Sequence, residues 1–153
     1  MKQKFINAYI DVAERFSQLS SAERLKVGAI VVKDDRIVSI GYNGTPSGWD
    51  NCCEYEEEVL TSEYGKRNWL EKTGQLKAKP EVLHAEMNAL MKLAKTTESG
   101  AGATMFITHA PCLECAKGIY QAGISSVYYK TDYRNSDGIT FLEKAGVTVQ
   151  KLD

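Results

Sequence analysis

The chain has no excess of charge of either sign: 19 Lys and Arg stand against 20 Asp and Glu, a net charge of −1 with a pI near 6.2. That argues against a dedicated nucleic-acid surface, which brings a basic excess, though it leaves room for a small basic pocket. No run approaches eighteen apolar residues, so no transmembrane helix is expected. The first residues, Met1 to Phe5, are too polar for the apolar region of a signal peptide. Cysteine is sparse, at four residues, which fits a reducing compartment; a cytoplasmic location is the expectation. Histidine is scarcer still: His84 and His109 are the two in the chain. There are no repeats and no low-complexity segment. A length of 153 residues suits one domain with one core, burying roughly 70% of its unfolded surface.

What is present is concentrated in two short segments, His84-Ala85-Glu86 and Pro111-Cys112-Leu113-Glu114-Cys115. One imidazole and two thiols are borderline-to-soft ligands suited to zinc, and three protein ligands leave a fourth position for water. An open position marks a catalytic metal. Glu86 is then a proton carrier rather than a ligand; His-x-Glu with Pro-Cys-x-x-Cys is the known signature of zinc nucleobase deaminases. Cys112 and Cys115 share one helix face, and Pro111 suits a helix start, so a helix over Cys112 to Gly123 would carry both thiols in its first turn. There the helix dipole favours thiolate, the metal-binding form. His84 and Glu86 are about 200° apart on an ideal helix, so they converge only where a helix begins. Pro80 and Glu81, followed by Val82, Leu83, Met87, Leu90 and Leu93, supply such a beginning. A Cys-x-x-Cys redox pair is one competing reading. Another is a closed structural zinc with His109, Cys52 or Cys53 as fourth ligand.

The remaining pattern reads α-β-β-α-β-α-β-α-β. Helical periodicity covers Phe5 to Leu19; a strand pair, Val27 to Val32 and Arg36 to Gly41, turns at Asp34-Asp35. Residues 42–79 are polar and turn-rich, with a short helix expected near Tyr55 to Leu60. A helix spans Val82 to Lys95, strands follow at Thr104 to Thr108 and Ser126 to Tyr129, and Gly138 to Ala145 and Val147 to Lys151 form a last helix and strand. This order implies an α/β fold: a three-layer α/β/α arrangement with a five-stranded mixed sheet. The helix between the last two strands makes them parallel neighbours.

Several segments together resemble the zinc-dependent cytidine and deoxycytidylate deaminase family, most closely its phage-type deoxycytidylate branch. They are Val27-Gly28-Ala29, Gly41-Tyr42-Asn43-Gly44-Thr45-Pro46, Asn51-Cys52-Cys53, His84 to Ala89, Pro111 to Lys117, Gln121-Ala122-Gly123-Ile124 and Tyr133. The resemblance covers nearly the whole chain as a single domain, 1–153, with a long insert at about 45–80. It implies one catalytic Zn2+ held by His84, Cys112 and Cys115, and hydrolysis of dCMP to dUMP and ammonia with Glu86 moving the protons. Ala85 N–H would hold the pyrimidine O2, the Ala110 carbonyl would accept from the leaving amine, Asn43 would lie against the sugar, and Tyr133 would lie over the base. Asn43-Gly44 is also a strong turn dipeptide on its own terms. Lys26, Arg24 and Arg134 are candidate phosphate partners.

The resemblance further implies a homo-hexamer activated by dCTP with Mg2+ and inhibited by dTTP, through a nucleotide site that includes Gly41, Tyr42, Asn43 and Gly44. Some relatives carry a second zinc in the insert. Here no histidine stands between Asn51 and Leu83, so a second site near Cys52 and Cys53 is not expected. Two other functions fit the same motifs: a tRNA adenosine deaminase or other polynucleotide editor, and a non-enzymatic zinc- and nucleotide-binding regulatory module. The retained Glu86 argues against the module, because a structural metal has no use for a proton carrier.

Overall fold

The structure is a computed structural model that describes residues 1–62, 65 and 68–153, so part of the insert, at 63–64 and 66–67, lies outside the described residues. Ile6, Ile10 and Ala13 recur at helical spacing and are buried, which sets the inward face of helix α1, Gln3–Ser17. Strands β1, Gly28–Lys33, and β2, Arg36–Tyr42, follow as an antiparallel hairpin. Asp34 and Asp35 both have positive φ, 49° and 57°, the left-handed pair that a two-residue primed turn demands.

Strand β5, Thr104–His109, pairs antiparallel with β1, and then β6, Ser126–Thr131, and β7, Thr148–Lys151, add in parallel. The sheet order is β2-β1-β5-β6-β7, the five-stranded mixed sheet expected from the sequence, with its last two strands parallel. Helices α3, Leu113–Gln121, and α4, Asp137–Lys144, make the crossovers that parallel neighbours require. Helix α2, Ala85–Leu93, lies against β1 and β2.

Both faces of the sheet are covered, which is why β1 and β5 are almost continuously buried rather than alternating. Ile30, Val32 and Phe106 pack with Ile6, Ile10 and Ala13 of α1 on one side. Ala29, Val31, Met105 and Ile107 pack on the other side with Leu90 of α2, Ile119 of α3 and Leu142 of α4. Among the described residues, no helix is long and apolar enough to cross a membrane.

Gly28 shows how tightly α1 sits: a Cβ there would lie 2.0 Å from the Ala13 carbonyl oxygen. Backbone cannot yield cheaply in a packed core, so Gly28→Ala is expected to cost about 3 kcal/mol, the upper end for overpacking. Urea unfolding would show this as a lower midpoint with an unchanged slope.

The insert departs from expectation. The segment around Tyr55 to Leu60 is not a short helix but part of β3, Glu54–Thr61, which pairs antiparallel with β4, Trp69–Ala78, in a separate two-stranded sheet. Locally, Glu-Glu-Glu-Val-Leu carries good helix formers. The pairing partner, some fifteen residues further on, overrides that preference by pairing one edge of the β3 backbone along its length. Lys79 N–H donates to the Cys53 carbonyl at 2.8 Å and closes the base of this ribbon.

Candidate active site

Two helix starts face one another. A short bridge, Gly44 N–H to the Leu83 carbonyl at 3.1 Å and Leu83 N–H to the Gly44 carbonyl at 2.8 Å, pins the chain just before α2. His84 then occupies the N-cap in extended conformation, φ −74° and ψ 150°, and Glu86 is the second helical residue. The pair therefore straddles the helix start, where the regular 100° step does not yet apply. Ala85, first in the helix and fully buried, carries one of the four N–H groups that an α-helix leaves without an internal acceptor. Gly41 lets β2 come close, since a Cβ there would sit 2.1 Å from the Ala85 carbonyl oxygen. Asn88 Nδ2 donates to the Tyr42 carbonyl and Ser39 Oγ to the Ala89 carbonyl, at 2.8 and 2.6 Å, fixing α2 on β2.

The second start follows β5. Ala110 N–H donates to the Thr131 carbonyl at 2.8 Å, and Cys112 is the N-cap of α3, φ −68° and ψ 167°. The expected helix from Cys112 thus begins one residue later: Cys115 sits in the first turn and Cys112 just outside it. The extended cap directs Cys112 toward His84 rather than along the helix face. Gly138, at the head of α4, abuts this loop; a Cβ there would meet the Pro111 carbonyl oxygen at 2.1 Å.

His84 Nδ1 lies 3.6 Å from Cys112 Sγ and 3.4 Å from Cys115 Sγ, and the three donor atoms fall within 4.8 Å of one another. A tetrahedral zinc with ordinary bond lengths separates a nitrogen and a sulfur ligand by about 3.6 Å. The donor set and its spacing therefore fit that ion. The protons respond as a ligand set should. Hydrogen bonds from Cys115 and then His84 pull the Cys112 thiol down to about 3, while the same bond and burial push Cys115 up. His84 is raised by its bond to Cys112. A cation would displace this shared proton and leave thiolates.

Glu86 is 4% exposed, and burial pushes its carboxyl up to about 7. A carboxyl poised near neutrality both takes and gives protons readily.

These groups border a cleft of about 460 Å³. The helix starts contribute His84, Ala85, Glu86 and Cys112, and the sequence-predicted contacts Asn43, Ala110 and Tyr133 line the same space. Cys115 lies behind, 1% exposed. The Asn43 side chain does not close a local turn: Oδ1 accepts from Val27 N–H and Nδ2 donates to the Leu25 carbonyl, both at 2.8 Å, and neither Asn43 nor Gly44 has the positive φ of a primed turn. Tyr133 Oη accepts from Arg134 Nη2 at 3.1 Å, with the guanidinium 5.3 Å from the ring centre. Of the three candidate phosphate partners, Arg24 and Arg134 line the cleft and Lys26 does not. Nor do Gly41, Tyr42 and Gly44.

Sequence reasoning missed the base of the ribbon. Cys53, Glu54 and Ala78 form part of the cleft wall, and Glu54 Oε1 accepts from the N–H groups of Glu23 and Arg24 at 3.0 and 3.2 Å. No local pattern announces a contact across thirty residues. Cys52 is exposed and donates to the Glu54 carbonyl at 3.3 Å, whereas Cys53 is buried near Ser21 Oγ. His109 lines the cleft with Nδ1 3.0 Å from Thr108 Oγ1.

Comparison with known proteins agrees with this geometry. The family described as the cytidine and deoxycytidylate deaminase zinc-binding region matches residues 1–131. The dCMP deaminase of cyanophage S-TIM5, solved in complex with dCMP and dUMP, superposes with a TM-score of 0.85 at 47% identity, covering 99% of each chain. The deoxycytidylate deaminase of Enterobacteria phage T4 is 33% identical over 92% of this chain and 86% of its own. ComE operon protein 2 of Bacillus subtilis is 36% identical over 88% of this chain, which spans 64% of that protein's length. With a zinc-binding-region family match over residues 1–131, a His84/Cys112/Cys115 group spaced to hold a metal ion and a fold shared over 99% of its length, the chain belongs to the cytidine and deoxycytidylate deaminase family.

Proposed function

We propose that residues 1–153 form one catalytic domain that hydrolyses dCMP to dUMP and ammonia, supplying dUMP for dTTP synthesis. The observation that carries this reading is the buried Glu86 carboxyl beside His84, Cys112 and Cys115 on the wall of a nucleotide-sized cleft. Support for the substrate comes from relatives whose names specify deoxycytidylate.

His84 and the thiolates of Cys112 and Cys115 would hold zinc, which when bound would supply the Lewis acidity that makes water a nucleophile near neutral pH. Glu86 accepts a proton from that water and delivers it to N3 of cytosine, which renders C4 electrophilic. It then carries a second proton to the C4 amino group, so that one water is consumed, ammonia leaves and the ring becomes uracil. Ala85 N–H holds O2, the Ala110 carbonyl orients the departing amine, Asn43 meets the deoxyribose and Tyr133 covers the base. Arg24 and Arg134 bring positive charge to the rim, where a 5′-phosphate would lie.

Regulation belongs to the same proposal and rests on family resemblance: a homo-hexamer in which dCTP with Mg2+ activates and dTTP inhibits, through a site including Gly41 to Gly44. Gly41 packs on the first residue of α2, so a ligand there has a short route to Glu86.

The test is the ultraviolet change when the zinc-loaded protein meets dCMP, with and without dCTP and magnesium. Loss of the cytosine spectrum, strongest with dCTP, is the expected result. Turnover indifferent to dCTP would remove the regulation and keep the enzyme. No turnover with zinc confirmed in place would redirect attention to bases within RNA, to be checked by tRNA binding.

A further inference from the structure

His109 has no part in the mechanism above, yet its imidazole lines the cleft and is fixed in orientation. Its Nδ1 faces Thr108 Oγ1 at 3.0 Å, and Thr108 is buried. That hydroxyl oxygen already accepts from Gly28 N–H at 3.1 Å. Its own proton needs an acceptor, and Nδ1 supplies one, since a buried hydroxyl proton without a partner is costly. The proton of the ring therefore sits on Nε2, on the side of the ring away from Thr108, in a residue that lines the cleft. Burial holds the ring below its ordinary pKa and so neutral.

The register places this donor between two cationic segments. Ala29 stands opposite Ile107 and Ile30 opposite Phe106, so the same antiparallel register continued sets Val27 opposite His109. On the other side His109 pairs with Thr131. The chain leading to Val27 carries Arg24, and the chain leaving Thr131 carries Arg134; both line the cleft. Two of the three carboxylates lining the cleft are already engaged: Glu54 accepts from the Glu23 and Arg24 N–H groups, and Asp132 pairs with Lys151 Nζ at 2.5 Å; the third is Glu86. An anionic group entering here meets two guanidinium groups and one directed N–H.

We infer that His109 is a specificity-determining residue that donates its Nε2–H to a 5′-phosphate oxygen of the bound nucleotide, an assignment resting on the nucleotide reading above. Arginine charge attracts any anion; a single directed donor fixes where the phosphate ends and the sugar begins. Thr108 acts behind it as a positioning residue that holds the tautomer.

The test uses His109→Ala and His109→Gln in the zinc-loaded protein, with kcat and KM for dCMP and the binding of dUMP against deoxyuridine measured by calorimetry. The alanine variant is expected to raise KM for dCMP by about ten- to a hundredfold, the value of a hydrogen bond to a charged acceptor, with most of the loss in KM rather than kcat. Binding of dUMP weakens by a similar factor, so its advantage over deoxyuridine shrinks. Glutamine, whose amide also donates, restores much of it. Equal weakening of dUMP and deoxyuridine, or a fall in kcat at constant KM, would overturn the assignment and place His109 against the base or the sugar. Wild-type protein that fails to turn over dCMP would count against the proposed reaction; the dUMP-to-deoxyuridine comparison would still decide the phosphate contact.

Discussion

Glu86→Gln is expected to retain a full complement of zinc and lose about a hundred- to ten-thousandfold in kcat, the range for removing a general acid–base group. The substitution keeps the shape of a residue that is 4% exposed, so packing survives. The three ligand atoms are untouched, because Glu86 is not among the group that converges on the metal position. What disappears is the one buried carboxyl among the described residues, the group proposed to move protons between water, N3 and the amino group. Metal analysis beside steady-state kinetics decides the matter; a zinc-loaded variant with substantial turnover would sink the role. The same variant also reads the cost of burying the carboxyl. Its native pKa, about 7, lies above the unfolded value near 4.5, so in chelator-treated protein this group favours the fold at low pH and ceases to do so as pH rises from 4.5 to 7. That loss is about 3 kcal/mol, and Glu86→Gln should flatten the decline in Tm over the interval.

Cys115→Ala is expected to abolish metal retention after dialysis and, with it, turnover altogether. Cys115 is 1% exposed, lies 3.4 Å from His84 Nδ1 and sits in the first turn of α3, and among the described residues the group at this position is His84, Cys112 and Cys115. Two remaining ligands are too few for a zinc site that already leaves one position to water. The loss should extend to stability, because a ligand bound to the native state alone contributes in proportion to the logarithm of its concentration over Kd. Cys52→Ser provides the contrast: that thiol is exposed and outside the triad, and neither zinc content nor kcat should change. Loss of metal in Cys52→Ser, or stoichiometric zinc in Cys115→Ala, would reassign the site.

The glycines show a second kind of constraint. Gly28, Gly41 and Gly138 are each placed so that a Cβ would collide with backbone 2.0 to 2.1 Å away. Gly41 and Gly138 hold the two helix starts against β2 and against α4 respectively. Only Val27-Gly28-Ala29 and Gly41 to Gly44 stand out in sequence, and there as motif rather than as packing.

The sequence by itself determined the elements of the central sheet, the parallel pairing at its end, and the residues that come together at the metal position. These are legible because each depends on short-range signals: apolar periodicity, turn dipeptides, a helix-length crossover, and two compact segments, His-x-Glu and Cys-x-x-Cys. Only the tertiary structure decided what depends on distant partners. Segment 54–61 contains good helix formers, yet it pairs with residues 69–78 and becomes a strand. Cys112 caps its helix instead of joining it, because the loop before it is held by Thr131 and Gly138. Glu54 reaches Arg24 across thirty residues, and His109 takes its orientation from Thr108 and Gly28. Hydrogen bonds between segments far apart in the chain leave no periodicity to read, and so the walls of the cleft emerge only once the sheet has closed around them.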